Sequence, residues 1–194
     1  IALGGAELSM IELADIYATM ANLGMRHKIR TDLHSKIDRG NQILSPEAFF
    51  MVLDMLSHQG TPETRIPYAK KQTNRLTHYW KTGTSSSFRD AWTAGIFGDY
   101  VLIVWVGNFD GKPNNVFSGA KVAAPIYFSI ANSVQDYYAQ KGKPITNQNF
   151  FRDGININYI DMCDRVGGIA GTNCPKFDRS PFNPVASPID ILSI

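Results

Sequence analysis

Between two apolar runs, Ala91-Trp92-Thr93-Ala94-Gly95-Ile96-Phe97 and Tyr100-Val101-Leu102-Ile103-Val104-Trp105-Val106, the chain has only Gly98-Asp99 in which to reverse direction. Both runs are rich in aromatic or β-branched residues and too short for an ordinary helix, so they read as strands. Two residues cannot carry a crossover to a parallel neighbour, so the strands form an antiparallel hairpin. Tyr79 to Thr84 is a third strand candidate just upstream, and Asp110-Gly111-Lys112-Pro113 marks the exit turn. A three-stranded sheet of this kind must be covered by other elements.

Helical periods flank it. Ser9 and Glu12 form an S-x-x-E capping box ahead of Leu13, Ile16, Tyr17 and Met20, with Gly24 as the stop. Ser45-Pro46 opens a second helix whose inner face is Phe49, Val52, Leu53 and Leu56, ending at Gly60. The polar stretch from His27 to Gln42 reads as a loop or short hairpin, and Thr61 to His78, with Arg65, Lys70, Lys71 and Arg75, as a solvated loop. A third helix starts near Pro125 and carries Phe128, Ala131, Val134 and Tyr138. From Lys143 onward the chain is rich in Asn and Pro and loses periodicity, which places a domain boundary near Gly142–Pro144. The expectation is an α+β domain over residues 1–142 and a small β-rich tail over 143–194.

At 194 residues the chain suits one domain plus an appendage, and 44% apolar residues make it globular. A net charge of +2 argues against a nucleic-acid binder, which concentrates basic charge on one surface. No apolar run reaches the roughly 18 residues that span a bilayer. Cys163 and Cys174 form no CxxC, and no histidine lies near them, so a zinc site lacks ligands; a disulfide or two buried thiols remain open. His27, His34, His58 and His78 show no ligand spacing, Gly167 to Gly171 lacks the Lys-Ser/Thr of a phosphate loop, and Asp161 and Asp164 read as solvated.

Chemistry concentrates at Lys81-Thr82-Gly83, extended by Thr84 and Ser85. Acyl transfer needs donors aimed at a developing oxyanion and a substrate carboxylate held still. Lysine supplies a fixed positive field, the Thr82 and Thr84 hydroxyls suit a carboxylate, and Gly83 removes a side chain that would keep substrate off the backbone. A bland surface strand edge would use the same residue types.

K-T-G is one of three signatures of the penicillin-recognising serine enzymes, beside S-x-x-K and S-x-N. Around it, Leu3-Gly4-Gly5-Ala6-Glu7 leading to Glu12-Leu13-Ala14, Tyr17-Ala18-Thr19 and Ala21-Asn22 resembles a helix of the class A penicillin-binding proteins. Trp80 to Ser85, Phe88-Arg89-Asp90-Ala91-Trp92, Trp105 to Gly111 and Val122-Ala123-Ala124-Pro125-Ile126 then follow in that family's order. The 1C type is the most similar: Trp80 stands where other class A enzymes commonly have glycine, and Cys163, Cys174-Pro175 and Ser187-Pro188-Ile189 resemble its extra C-terminal domain.

The resemblance implies a transpeptidase domain of the serine β-lactamase-like fold, whose sheet has five strands, and cross-linking of peptidoglycan by a serine ester. Lys81 and Thr84 would be catalytic: Lys81 holds the field and bonds the S-x-N serine, and the Thr84 N–H is an oxyanion-hole donor. Thr82, Gly83 and Thr84 would bind the D-Ala-D-Ala stem peptide or a β-lactam. S-x-x-K and S-x-N lie upstream in the family, in an N-terminal half expected to be missing here along with a glycosyltransferase domain and membrane anchor, so the isolated chain is expected to be inactive. Ser118-Gly119-Ala120-Lys121 matches S-x-x-K by letter, but it follows K-T-G and is expected in a loop remote from Lys81. No cofactor is implied. The implied location is the periplasmic side of the bacterial inner membrane, an oxidising compartment that favours a Cys163–Cys174 disulfide. A different class of function, a non-catalytic module or decayed enzyme binding an envelope protein such as a bacterial α2-macroglobulin, remains the alternative.

Overall fold

The computed structural model describes residues 6–58, 76–150, 154–163, 168–172 and 174–185. Expectations at residues 3–5, at Gly60, across Arg65 to Arg75, at Asp164, at Gly167 and at Ser187–Ile189 lie outside those residues.

Helix α1 spans Met10–Ala21 and begins as its residues require. The Ser9 hydroxyl accepts from the Glu12 N–H at 3.4 Å, and the Ser9 N–H donates to a Glu12 carboxylate oxygen at 2.8 Å, closing the capping box. Leu23 and Gly24, at φ 50° and 88°, then turn the chain out of the helix. Two-residue strands β1 (Met25–Arg26) and β2 (Asn41–Gln42) pair antiparallel and close the expected polar hairpin. Helix α2 runs Pro46–Ser57, with Ser45 as cap and proline at the first turn.

Strands β3 (His78–Thr84), β4 (Asp90–Phe97) and β5 (Tyr100–Gly107) form an antiparallel sheet in the order β3-β4-β5. Each lies within one residue of its expected start. Phe97 pairs with Tyr100 across Gly98-Asp99, and Gly98 alone of the two has positive φ, at 49°, the pattern of a type II′ turn. A π-helical turn, Gly119–Ala123, leads into α3, Ala124–Gln140. The β-rich tail is a hairpin of β6 (Asn158–Cys163) and β7 (Phe177–Phe182), and Cys163 is bonded to Cys174. No described helix is long and apolar enough to cross a membrane.

The sheet is the middle of three layers. On one face, Tyr17, Met20 and Leu23 at the α1 end and Phe50 and Leu53 of α2 pack on Ala94 and Ile96. On the other, Ala123, Ala124, Tyr127 and Ala131 pack on Trp80, Ala91, Phe97 and Val104. Burying each large side chain of this set stabilises the fold by about 1.5–3 kcal/mol. The α2 stripe is rotated from the expected one: Val52 is 41% exposed and Phe50 is buried in its stead, because the face toward the sheet centres on Phe50 and Leu53. Ile16 likewise falls at the rim of the α1 stripe, 44% exposed.

Packing continues past residue 142, where the chain turns at Gly142 with φ 69°. Thr77 donates its N–H to Asn147 Oδ1 at 2.7 Å, and Asn156 donates to Glu47 Oε1 at 3.0 Å. Phe150 and Ile157 enter the α1–α2 cluster.

His78, heading β3, is buried between Phe97, Tyr127 and Phe128, with Nδ1 3.3 Å from the Tyr127 hydroxyl. Burial lowers its pKa to about 4. Below pH ~6.5 the unfolded chain gains a proton that the folded chain refuses until pH ~4, so stability falls with acid across that window. A His78→Phe variant should lack this slope. In urea titrations from pH 7 to 4 the parent should lose about 2–3 kcal/mol more than the variant. Parallel losses would show that His78 titrates normally.

Candidate active site

Among the described residues β3 pairs with β4 alone, so its other edge carries no strand. Lys81, Thr82 and Thr84 lie together on this strand, opposite Ala94, Thr93 and Ala91 of β4. Side chains alternate across it. Trp80 is buried toward α3; Lys81, opposite the α1–α2 core residue Ala94, points to the other face and is exposed. Its Nζ donates to the Thr82 carbonyl at 2.8 Å, which folds the ammonium back along the strand. Thr82 and Thr84 return to the α3 side, where the Thr84 hydroxyl accepts the Gly119 N–H at 3.0 Å.

Glycine at 83 is not required by packing. A Cβ there would meet Trp92 Cβ at 3.6 Å, an ordinary contact, and the backbone φ is not left-handed. Gly95 of β4 is the contrast: its Cβ would sit 2.6 Å from the Tyr127 hydroxyl and 2.7 Å from Trp80 Cβ.

Beyond Thr84 the strand ends in a tied loop. The Ser85 N–H donates to the Asp90 carbonyl at 2.9 Å, the Asp90 N–H donates to the Ser85 hydroxyl at 2.8 Å, and Trp105 Nε1 donates to Asp90 Oδ1 at 2.9 Å. These bonds hold Ser87 and Phe88 at φ 62° and 55°, left-handed values that cost a non-glycine residue about 1–2 kcal/mol each. The loop therefore fixes where the threonine end of β3 lies.

Ser118 precedes the π-helical turn as its N-cap, and the next residue, Gly119, contacts β3 at Thr82 and Gly83. Gly119, Ala123 and Ala124, all buried, put only small residues where the turn meets the sheet, a non-local consequence that a one-dimensional pattern does not display. The turn lies against the Thr82–Thr84 face, whereas Lys81 points to the opposite face. Lys121 is exposed. Gly119 is the residue that motif reading missed, and the small residues spaced at Gly119, Ala120, Ala123 and Ala124 before Pro125 are the signal that could have found it.

Elsewhere, Asp161 is exposed and faces Arg179 across the β6–β7 ladder. His27 sits 3.1 Å from Asp38 and His58 3.8 Å from Asp54, as surface pairs.

No protein-family profile matches the chain. It is 28% identical over 132 residues to penicillin-binding protein 1C of Escherichia coli (strain K12), covering 67% of this chain and 16% of that protein. Over 177 residues it is 28% identical to penicillin-binding protein 1A of Aquifex aeolicus (strain VF5), covering 84% of this chain and 23% of that protein. It is 31% identical over 142 residues to penicillin-binding protein 1B of Haemophilus influenzae, covering 67% and 18%. The crystal structure of penicillin-binding protein 1A from Haemophilus influenzae superposes with a TM-score of 0.72 at 20% identity, over 97% of this chain and 34% of that one. These likenesses support a class A penicillin-binding protein. The α+β fold is the one expected of its transpeptidase domain. Types 1A, 1B and 1C all match, and the superposition on 1A extends into the tail, so neither separates the types. The chain spans 16% to 23% of the length of these relatives.

The two strand glycines give a direct comparison. Gly83→Ala should leave stability within about 0.5 kcal/mol of the parent, while Gly95→Ala, forced against Tyr127 and Trp80, should cost about 1–3 kcal/mol. Urea midpoints measure both, and a large loss at Gly83 would mean that packing, not access, selects glycine there.

Proposed function

We propose that the unpaired edge of β3 is the ligand-binding edge of a serine-type D,D-transpeptidase in a bifunctional glycosyltransferase/transpeptidase of the 1C type. The observation that carries this is the placement of Lys81, Thr82 and Thr84 on one strand whose free edge is paired with no other strand among the described residues, around a glycine that packing does not demand. The substrate is the D-Ala-D-Ala stem peptide of peptidoglycan, and β-lactams occupy the same edge as acylating inhibitors.

Each residue has a distinct part. Thr82 and Thr84 hold the substrate carboxylate. The Thr84 N–H donates to the carbonyl oxygen as negative charge develops on it, in a site where fixed donors do not have to reorganise. Lys81 supplies positive field beside the nucleophile, and its ammonium leaves the Thr82 carbonyl when the S-x-N serine is present. Gly83 lets the peptide lie against the strand backbone. The nucleophilic serine and its lysine come from the upstream part of a longer chain. Residues 1–142 belong to the transpeptidase domain and 143–194 to a C-terminal domain whose first residues, through Ile157, pack against it, on the periplasmic side of the inner membrane, where the Cys163–Cys174 bond is stable. The tail is the surface for an envelope partner such as a bacterial α2-macroglobulin.

Labelling the full-length protein with a fluorescent penicillin tests this reading. Lys81→Ala should slow acylation about 100- to 1,000-fold, as loss of one preorganised electrostatic contact does. Lys121→Ala, an exposed charge, should alter it by about twofold or less. Undiminished labelling of Lys81→Ala, or loss of labelling in Lys121→Ala, would contradict the assignment.

A further inference from the structure

The π-helical turn behind β3 reaches the threonine end of the strand through a single donor. The Gly119 N–H points at the Thr84 hydroxyl oxygen, 3.0 Å away. The approach is as close as a backbone allows: a Cβ on Gly119 would lie 2.5 Å from the Gly83 carbonyl oxygen, 2.7 Å from the Trp92 carbonyl oxygen and 3.0 Å from Thr82 Cβ. The first two are backbone atoms of β3 and β4 and cannot swing aside. Gly119 has no left-handed φ, so glycine is required here for space rather than for conformation.

The direction of this bond has a chemical consequence. A threonine hydroxyl has one proton and two lone pairs. With a lone pair engaged by the Gly119 N–H, the hydroxyl proton is turned away from Gly119, since otherwise two hydrogens would face each other. Thr84 is exposed, so that proton is available to a ligand at the strand edge. Without the Gly119 donor the hydroxyl could rotate and present a lone pair instead, which repels a carboxylate.

We infer that Gly119 is a positioning residue: its N–H orients the Thr84 hydroxyl as a hydrogen-bond donor toward the carboxylate of a bound ligand. This rests on the reading of the β3 edge as the transpeptidase ligand edge. Gly119 itself touches no substrate and acts through Thr84.

The test uses the full-length protein with two probes, benzylpenicillin and its methyl ester, which differ in whether a carboxylate is present. In Gly119→Ala, acylation by the free acid should slow about tenfold more than acylation by the ester, the size expected for one hydrogen bond to a charged group. Thr84→Val should show the same selectivity. Equal slowing with both probes, or none, while Thr84→Val remains selective, overturns the positioning role and leaves the edge assignment standing. If Thr84→Val also fails to separate acid from ester, or if neither probe acylates the unaltered protein, the edge assignment fails and the inference with it. Should Gly119→Ala not fold, glycolic acid in place of Gly119 removes the N–H without adding an atom. It should give the same acid-selective loss, and an unchanged acid-to-ester ratio would overturn the inference.

Discussion

The register between β3 and β4 is the constraint on which the rest of the molecule depends. β4 is buried on both faces, with Ala94 and Ile96 toward the α1–α2 side and Ala91 and Phe97 toward α3. A slip of one residue would turn every side chain of β3 to the opposite face. Lys81 would then exchange faces with Thr82 and Thr84, and Trp80 would leave its pocket against Tyr127 and Phe128. Packing opposes the slip: the Tyr127 ring lies on Gly95, where no side chain intervenes, while Trp80, the β3 partner of Gly95, packs beside it. The chemistry of the strand edge is therefore a consequence of core packing some distance from it.

The parts of this fold set by neighbours in sequence were legible. The Ser9–Glu12 capping box, the Ser45-Pro46 helix start and the Gly98-Asp99 hairpin are each decided within a few residues, and each formed where its residues directed. The same holds for the strand carrying Lys81, Thr82 and Thr84, because the K-T-G signature coincides with a strand-period stretch directly before the hairpin.

What depends on contacts between distant residues was not legible. Val52 and Phe50 are both apolar, and only the sheet beneath α2 decides which turns inward. Tyr127 went unremarked although it is fully buried, because its selection depends on the gap at Gly95, thirty-two residues earlier by their numbering. The approach of Gly119 to β3 was not legible for the same reason: small residues show that a close approach is possible but not which surface is approached. The segment after Gly142 looks like a departure from the domain in composition, yet it returns Phe150 and Ile157 to the α1–α2 core.

The central claim, the proposal made above, is that the β3 edge receives the acylating ligand. A crystal structure of the full-length protein acylated by a β-lactam tests it most directly. The account predicts the ligand carboxylate within about 3 Å of the Thr82 and Thr84 hydroxyls and its carbonyl oxygen at a similar distance from the Thr84 N–H. A ligand covalently attached at Ser118, or bound with its carboxylate away from β3, would contradict it.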